Sequence, residues 1–183
     1  MAVSPRAIAK WRCILLFRTL LTRARRFFRL SLLLVAMVAV SRPGQAADCD
    51  EVITQYMVGQ ALLAAHFVAA AEKTGMKPAE INAVLKDIAA KSAIEEFWIT
   101  DSKGHAYLTN TGTDFTFTPD PGKQPQAAAF WPLIGGTMTV VSQPLRKRDY
   151  DERVFKYVGV AGVDKKRIVQ VGVSDAKMKS LCK

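Results

Sequence analysis

The residues able to do chemistry in this 183-residue sequence are few, and they do not form a catalytic pattern. His66 and His105 lie far apart, and neither has a nucleophile or a carboxylate at a spacing typical of an active site. Three acidic residues occupy positions 149–152, but arginines surround them, which favours a solvated loop. The glycine pair at 135–136 reads as a turn and lacks the rest of a phosphate-binding loop. We therefore predict that the protein is not an enzyme and uses neither a metal nor another cofactor.

Two polar residues stand out because they interrupt the most apolar stretch of the chain. Lys156 lies in Phe155–Val160 and Gln170 in Ile168–Val173, two valine-rich segments that predict a β-hairpin covered on both faces. If the last residue of the first segment pairs with the first residue of the second, Lys156 and Gln170 fall on one face as diagonal neighbours. An ammonium and an amide placed in this way can hold a carboxylate. The alternative is that both face water near a sheet edge.

The other candidates for a ligand site are aromatic residues and arginines. Aromatic side chains could form the apolar walls of a pocket, although plain core is the alternative for all of them: Trp98, Tyr107, Phe115, Phe130 and Trp131. Arg146 and Arg148 are weaker candidates for binding a carboxylate, because neighbouring acids can satisfy them. If Lys156 belongs to the pocket, we expect the Lys156→Ala variant to lose an acidic ligand and to keep its fold.

The formal net charge of +10 is concentrated at one end of the chain. Residues 1–46 contain nine Lys and Arg residues and no acids, which leaves 17 basic and 16 acidic residues for the remainder. A nearly neutral remainder removes the main support for a nucleic-acid-binding surface. We therefore expect no nucleic-acid partner.

The basic N-terminal segment has the pattern of an export signal. The apolar run Leu30–Val40 suits a signal-peptide core and is short for a membrane span, and small residues precede a cut after Ala46. We therefore assign residues 1–46 as an export signal peptide, residues 47–183 as a single domain, and the periplasm as its location. A retained membrane anchor is the alternative. The arginine pair at 25–26 partly resembles a twin-arginine signal, so the export route stays open.

Two of the three cysteines remain in the mature chain, near its two ends. An exported chain with Cys49 and Cys182 favours a disulfide between them, and two free thiols on frayed termini are the alternative. Two cysteines and two distant histidines do not make a metal site.

Periodicity predicts two helices followed by a β-rich region. Apolar residues recur at spacings of three and four between Glu51 and Lys73, and the helix predicted there carries one apolar stripe: Val52, Ile53, Tyr56, Met57, Leu63, Phe67 and Ala70. A second helix is expected over Pro78–Lys91, and a short one over Gln124–Trp131 that Pro132 ends. Strands are expected near 96–101, 105–110 and 137–142, with a charged, solvated turn at 146–153 before the final hairpin. Helices segregated from an antiparallel sheet predict an α+β domain.

These pieces together resemble a cache domain, the extracytoplasmic relative of the PAS fold. The segment Phe97–Thr109 is similar to the central hairpin of such domains, and the long first helix and the final strand pair fit the same order over residues 50–175. The resemblance implies a long N-terminal helix packed on an antiparallel sheet of about five strands, with a pocket on the other face. The residues expected there are Lys156, Gln170, Tyr107, Trp98, Trp131 and Arg148.

The resemblance also implies a sensory function. Cache domains bind small molecules and pass the event to a chemoreceptor, kinase or cyclase, and we expect no output module after this domain. We therefore expect a periplasmic binding domain for a small polar or carboxylate ligand that acts through a membrane-bound chemoreceptor or sensor kinase. A structural or protein-interaction module with a filled core and no ligand is the alternative. A homodimer through the first helix is compatible with the apolar stripe, which packing on the sheet explains equally.

Overall fold

The structure, a computed structural model, describes residues 45–183. The predicted leader, residues 1–46, and Cys13 therefore lie outside the described residues, apart from Gln45 and Ala46, which belong to the first helix. The described residues form one compact unit. Four α-helices are present in the described part of the chain: α1 (Gln45–Lys73), α2 (Pro78–Lys91), α3 (Trp131–Gly135) and α4 (Asp175–Leu181).

A six-stranded antiparallel sheet forms the centre of the described domain. Its strands are β1 (Glu96–Thr100), β2 (Ala106–Thr109), β3 (Val140–Ser142), β4 (Arg146–Lys147), β5 (Val154–Ala161) and β6 (Ile168–Ser174). The spatial order is β2-β1-β6-β5-β3, and the short β4 also pairs with β5. The α+β class, the long first helix and the antiparallel sheet are thus confirmed, with one strand more than expected. The hairpin β5–β6 lies in the middle, which explains why its residues are apolar on both faces.

Helix α1 packs against one face of the sheet, but only part of the predicted stripe does so. Ile53 and Met57 are buried, whereas Val52, Tyr56, Leu63 and Ala70 are exposed, so packing on the sheet accounts for only part of the stripe. The contact surface consists mainly of small residues, Ala61, Ala64, Ala65, Val68 and Ala71. Small side chains let the helix approach the sheet closely. A periodicity of large apolar residues does not identify such a contact surface, because alanines form most of it. Strand residues such as Phe97, Val158 and Val171 complete this layer.

Because α1 is long and apolar, its segment Cys49–Lys73 meets the length and hydropathy criteria for a membrane span, with a mean hydropathy of 1.3. The side that carries Met57 and Val68 is part of the core, which accounts for the apolar residues of that side.

The opposite face of the sheet is covered by the connection between β2 and β3. Gln124–Trp131 was expected to be one helix ended by Pro132. Instead, Ala127–Phe130 forms a 3₁₀-helix, and Pro132 lies in the first turn of α3. Proline is well suited to that position, because the backbone nitrogens of the first turn have no partner within the helix. Phe130 and Leu133 are buried against the sheet and, with Trp98 and Tyr157, form the core of this face.

The register of the central hairpin differs from the predicted register by one residue. Val160 pairs with Val169 rather than with Ile168, because the turn closes between Gly162 and Arg167 and sets Ala161 opposite Ile168. A shift of one residue exchanges the two faces of one strand relative to the other. The predicted register, and the shared face that it implied for Lys156 and Gln170, were therefore wrong.

A disulfide between Cys49 and Cys182 joins the start of α1 to the end of α4. The two cysteines are 133 positions apart in the sequence, and their Cα atoms are 5.8 Å apart. The pairing considered from the sequence thus links the two ends of the domain.

Candidate functional site

A buried carboxylate occupies one end of the loop-covered face of the sheet. Glu96, on β1, accepts hydrogen bonds from the Trp98 indole nitrogen (3.1 Å) and from the hydroxyl groups of Tyr157 (2.7 Å) and Tyr150 (3.4 Å). Its other oxygen is paired with the Arg148 guanidinium. We call these five residues the Glu96 cluster. All four partners point at one carboxylate, so the chain itself supplies an anion to the aromatic and cationic side chains of this face.

Arg148 is enclosed on all sides. Its guanidinium lies over the rings of Tyr150 (4.3 Å) and Phe155 (4.5 Å), and its second edge is paired with Asp151. Although burial acts to lower it, hydrogen bonds to Asp151 and Glu96 raise the pKa of Arg148 above its usual range. The expectation of a solvated turn at 146–153 was therefore wrong at Arg148. A ligand carboxylate can reach this guanidinium only by displacing one of the chain's own acids.

The tyrosines of the Glu96 cluster are held in their neutral form. Burial and the negative charge of Glu96 raise the pKa of Tyr150 and of Tyr157. Both hydroxyl groups therefore remain hydrogen-bond donors at any physiological pH.

Gln170 lies beside Trp98 on the same face, and its environment differs from that of the Glu96 cluster. The residue is 2% exposed and pairs with Trp98 across β1 and with Gly159 across β5. Among residues 45–183, its side-chain nitrogen has no hydrogen-bond acceptor. Of the six predicted ligand residues, Gln170 therefore combines burial on the loop-covered face with an unused donor.

Lys156 projects from the other face of β5, toward α1. Its ammonium group lies 3.1 Å from a carboxylate oxygen of Asp50 and 3.4 Å from the backbone oxygen of Gln143. The side chain is buried, so it does not face water as the alternative supposed, and it does not share a face with Gln170. The structure thus places Lys156 where it anchors the start of α1 to the sheet.

Tyr107 also belongs to the helix-facing side. Its hydroxyl group donates a hydrogen bond to Glu72 on α1 and accepts one from Arg167 (2.7 Å). Arg167 is fully buried and is also paired with Glu72 and Asp164. We call these four residues the Glu72 cluster. Burial and the hydrogen bond to Glu72 raise the pKa of Tyr107, and the cluster connects the end of α1 to β2 and the β5–β6 turn.

The remaining aromatic candidates lie in the layer that covers the sheet. Phe130 is buried directly over Gly159, and Trp131 is half-buried near Gly104. Phe115 packs against Trp98 and Tyr150, with ring centroids 5.8 Å and 5.4 Å apart, respectively. The structure thus brings Trp98, Gln170 and Arg148 to one face, while Lys156 and Tyr107 lie on the other.

Two surface grooves lie near these clusters. One of about 370 Å³ opens beside Arg153 and Phe155, and one of about 320 Å³ opens between Tyr107 and the lysines Lys165 and Lys166. Of the six predicted ligand residues, Tyr107 lines the second of these grooves. The face that carries Gln170 is covered by Phe130 and Leu133 rather than open to these grooves.

Sequence reasoning did not identify Glu96 as a functional candidate. A glutamate at the start of a predicted strand is expected to face solvent. Its partner Arg148 lies 52 residues later, so no local pattern connects the two. The sequence feature that could have indicated a partner for Glu96 is the charged segment 146–153. Its arginines were expected to pair with the acids next to them in the sequence. No protein-family model matches this chain, and a search of curated proteins finds none that is similar to it.

Proposed function

We propose that this protein is an exported small-molecule-binding domain of sensory type that acts through a separate signalling protein. Its ligand site is the loop-covered face of the sheet around Gln170 and Trp98. The ligand is a small polar compound with an acceptor oxygen, and carboxylates belong to this class.

The observation that carries the proposal is the unused side-chain nitrogen of Gln170. A buried donor without an acceptor costs about 1–3 kcal/mol relative to a satisfied one. Such groups are rare in native proteins, and a bound molecule that accepts the hydrogen bond is one explanation for them. A ligand oxygen bound beside Trp98 would remove this cost, so binding there is favoured by the protein's own unsatisfied group.

The layered architecture supports the same proposal. A long helix covers one face of the sheet, and the β2–β3 connection, whose regular structure is a 3₁₀-helix and the five-residue α3, covers the other. Segments of that kind can move aside at a lower cost than a packed helix, because they have few backbone hydrogen bonds to break. The leader pattern supports export, and a separate membrane-bound chemoreceptor or sensor kinase would receive the response.

The second candidate is a structural or protein-interaction module whose core is filled. It is favoured by the Glu96 cluster, in which the chain's own carboxylate satisfies Arg148, Trp98 and Tyr157. It is also favoured by the fit of the Phe130 ring over Gly159. The two candidates differ in whether a metabolite stabilises the native state.

The experiment is a thermal-shift screen of the exported protein against small polar metabolites, followed by the Gln170→Met variant. A ligand at one hundred times its dissociation constant stabilises the native state by about 2.7 kcal/mol, which raises the melting temperature by several degrees. We expect Gln170→Met to abolish this shift and to melt without ligand at the same or a higher temperature, because it removes an unsatisfied donor.

Gln143 provides the matched control for this substitution. It is also a buried amide, but it donates to the Gln126 backbone oxygen (3.0 Å) and accepts from the Gln126 side chain (3.2 Å). Gln143→Met is expected to melt earlier and to keep the full ligand shift. If no compound in the library shifts the wild-type protein, the filled-core module replaces the ligand-binding proposal.

A further inference from the structure

The two edges of the sheet differ in how far the chain itself covers them. Along β2, the N–H of Ala106 donates to the Phe115 backbone oxygen (2.9 Å) and the N–H of Thr109 donates to the Asn82 side chain (3.0 Å). The opposite edge is formed by β3 and the short β4, which both pair with β5. Whether this second edge is also covered depends on where the backbone groups of β3 point.

Strand β3 bonds to β5 through alternate residues. The Thr139 backbone oxygen accepts a hydrogen bond from β5 (2.9 Å), and the Gln143 backbone nitrogen donates one to β5 (3.0 Å). Because the backbone bonds of an antiparallel strand alternate in direction, Val140 and Ser142 point their N–H and C=O groups away from β5. Within residues 45–183, no backbone or side-chain group is bonded to these outward groups. Residues 139–143 therefore form an open edge, which we call the β3 edge.

The β3 edge also lacks the charges that normally protect such an edge. Residues 124–145 include no Asp, Glu, Lys or Arg, and both Ser142 and Met138 are exposed. Native edge strands are usually blocked by charged side chains, proline or a bulge, because open backbone groups pair readily with another chain. Here Pro144, at the next outward position, limits the open stretch to a few residues but does not close it.

From this pattern we infer that the β3 edge binds an extended segment of a partner protein, which adds a strand to the sheet. In this mode of recognition, backbone hydrogen bonds supply affinity and alternate side chains supply specificity. Val140 belongs to the helix-covered layer and Val141 to the loop-covered layer, so β-branched side chains in the partner can extend both layers. This inference does not depend on the proposed ligand.

Arg146 indicates that the partner carries an acidic residue beside the paired segment. It lies in β4, on the same edge of the sheet as β3. The next two residues, Lys147 and Arg148, pair with Glu152 and Asp151, whereas Arg146 has no carboxylate partner among residues 45–183. A second copy of this chain is a poorer occupant, because its residues 124–148 contain no acid.

The test is a titration of the ¹⁵N-labelled exported protein with the acetylated and amidated peptide Glu-Val-Thr-Val-Thr-Glu, followed by NMR. We expect the amide signals of Val140 and Ser142 to shift and their exchange with water to slow, with a dissociation constant of about 1 mM or lower. The same peptide with methylated backbone nitrogens cannot donate hydrogen bonds and should leave these signals unchanged. The inference is overturned if about 5 mM of the unmethylated peptide leaves them unchanged.

The Ser142→Pro variant tests the outward N–H by itself. It removes no β3–β5 hydrogen bond, and proline is tolerated on an edge strand, so we expect a folded protein that binds the peptide at least about fivefold more weakly. The control is Val141→Pro, which removes an N–H that faces Gly159 on β5 and should lower the melting temperature. A folded Ser142→Pro protein that binds as the wild-type protein does would overturn the inference.

Two further measurements test the identity of the partner. We expect Arg146→Met to weaken binding of the peptide about two- to fivefold and to leave binding of a Gln-Val-Thr-Val-Thr-Gln peptide unchanged, because only the first peptide carries carboxylates. Equal losses for both peptides would overturn the acidic partner. Sedimentation velocity of the wild-type protein without peptide tests the second copy: a dimer whose Val140 and Ser142 amides are already protected would overturn the inference, since the edge would then be occupied by the chain itself.

Discussion

Glu96 and Arg148 form an ion pair in which neither side chain is more than 6% exposed. The pair joins strand β1 to the segment that follows β4. Removing two charges from water is costly, and mutual attraction repays that cost only when other groups satisfy both partners. Here Trp98 and Tyr157 complete the bonding of Glu96, and Asp151 completes that of Arg148. The pair therefore fixes where the 146–153 segment lies on the loop-covered face.

The first prediction concerns removal of one partner of this pair. Arg148→Met leaves the Glu96 carboxylate buried without its cation, so we expect the free energy of unfolding to fall by about 3–5 kcal/mol. Chemical denaturation at neutral pH measures this change. The matched control is Arg146→Met two residues earlier, at a side chain that is not buried, for which a change below about 0.5 kcal/mol is expected.

The double variant Glu96→Gln/Arg148→Met tests the cause of that loss. With the buried charge removed, most of the lost stability should return, so the two changes should be strongly non-additive. Equal and additive losses would show that Arg148 stabilises the fold through packing on Tyr150 and Phe155 rather than through its charge.

The order of the elements could be predicted from the sequence, because local patterns determine it. The helix Pro78–Lys91 carries its proline in the first turn, and the valine-rich hairpin is apolar on both faces, so both were recognisable. The disulfide pairing followed from the two cysteines that the expected cleavage of the leader leaves in the chain.

The site could not be predicted to the same extent, because it depends on long-range geometry. The face of the sheet on which Lys156 lies depends on the register that the β5–β6 turn sets. The observed register differs from the predicted one by one residue, so Lys156 contacts Asp50 and does not share a face with Gln170. The Glu96–Arg148 pair joins residues that no periodicity connects. Two apolar sides of α1 were merged into one stripe, because alanines rather than larger residues pack on the sheet.

The second prediction concerns the Glu72 cluster and acid. Burial acts to raise the pKa of Glu72, but hydrogen bonds from Lys165, Tyr107 and Arg167 outweigh it and lower the pKa from 4.5 to about 2. A lowered pKa in the folded protein contributes stability above the unfolded value of 4.5, and this contribution is lost as the pH falls from 4.5 toward 2. It amounts to roughly 3 kcal/mol at most, since the side chain is partly exposed.

We therefore expect Glu72→Gln to destabilise the protein by about 2 kcal/mol at neutral pH and by progressively less below pH 4.5. Urea denaturation of both proteins at a series of pH values measures the difference. Glu51→Gln, at an exposed glutamate on the same helix, is the control and should show a small difference at every pH. A Glu72→Gln effect that is independent of pH would contradict the ion-pair explanation.

The third prediction concerns the disulfide. Cys49–Cys182 closes a loop of 133 positions, and on the chain-entropy model such a cross-link stabilises by about 5 kcal/mol. Reduction with a strong thiol should lower the free energy of unfolding by up to that amount. The Cys49→Ser/Cys182→Ser variant should match the reduced protein and be insensitive to reductant. If reductant also destabilised this variant, the disulfide would not be the cause.

The last prediction concerns the fit between the sheet and its covering layer. A Cβ atom on Gly159 would lie 2.7 Å from the Phe130 ring and 3.1 Å from a methyl group of Leu133. Because both side chains are buried, Gly159→Ala must displace the layer over Gln170, and we expect a loss of about 1–3 kcal/mol in the free energy of unfolding. Gly135→Ala is the control, since its Cβ atom would have nothing within 4 Å, and it should be neutral or slightly stabilising. Thermal and urea denaturation of the two variants provide the measurement. If Gly159→Ala were as stable as Gly135→Ala, the covering layer would be loose enough to admit a ligand without rearrangement, and the fit of Phe130 would no longer favour a filled core.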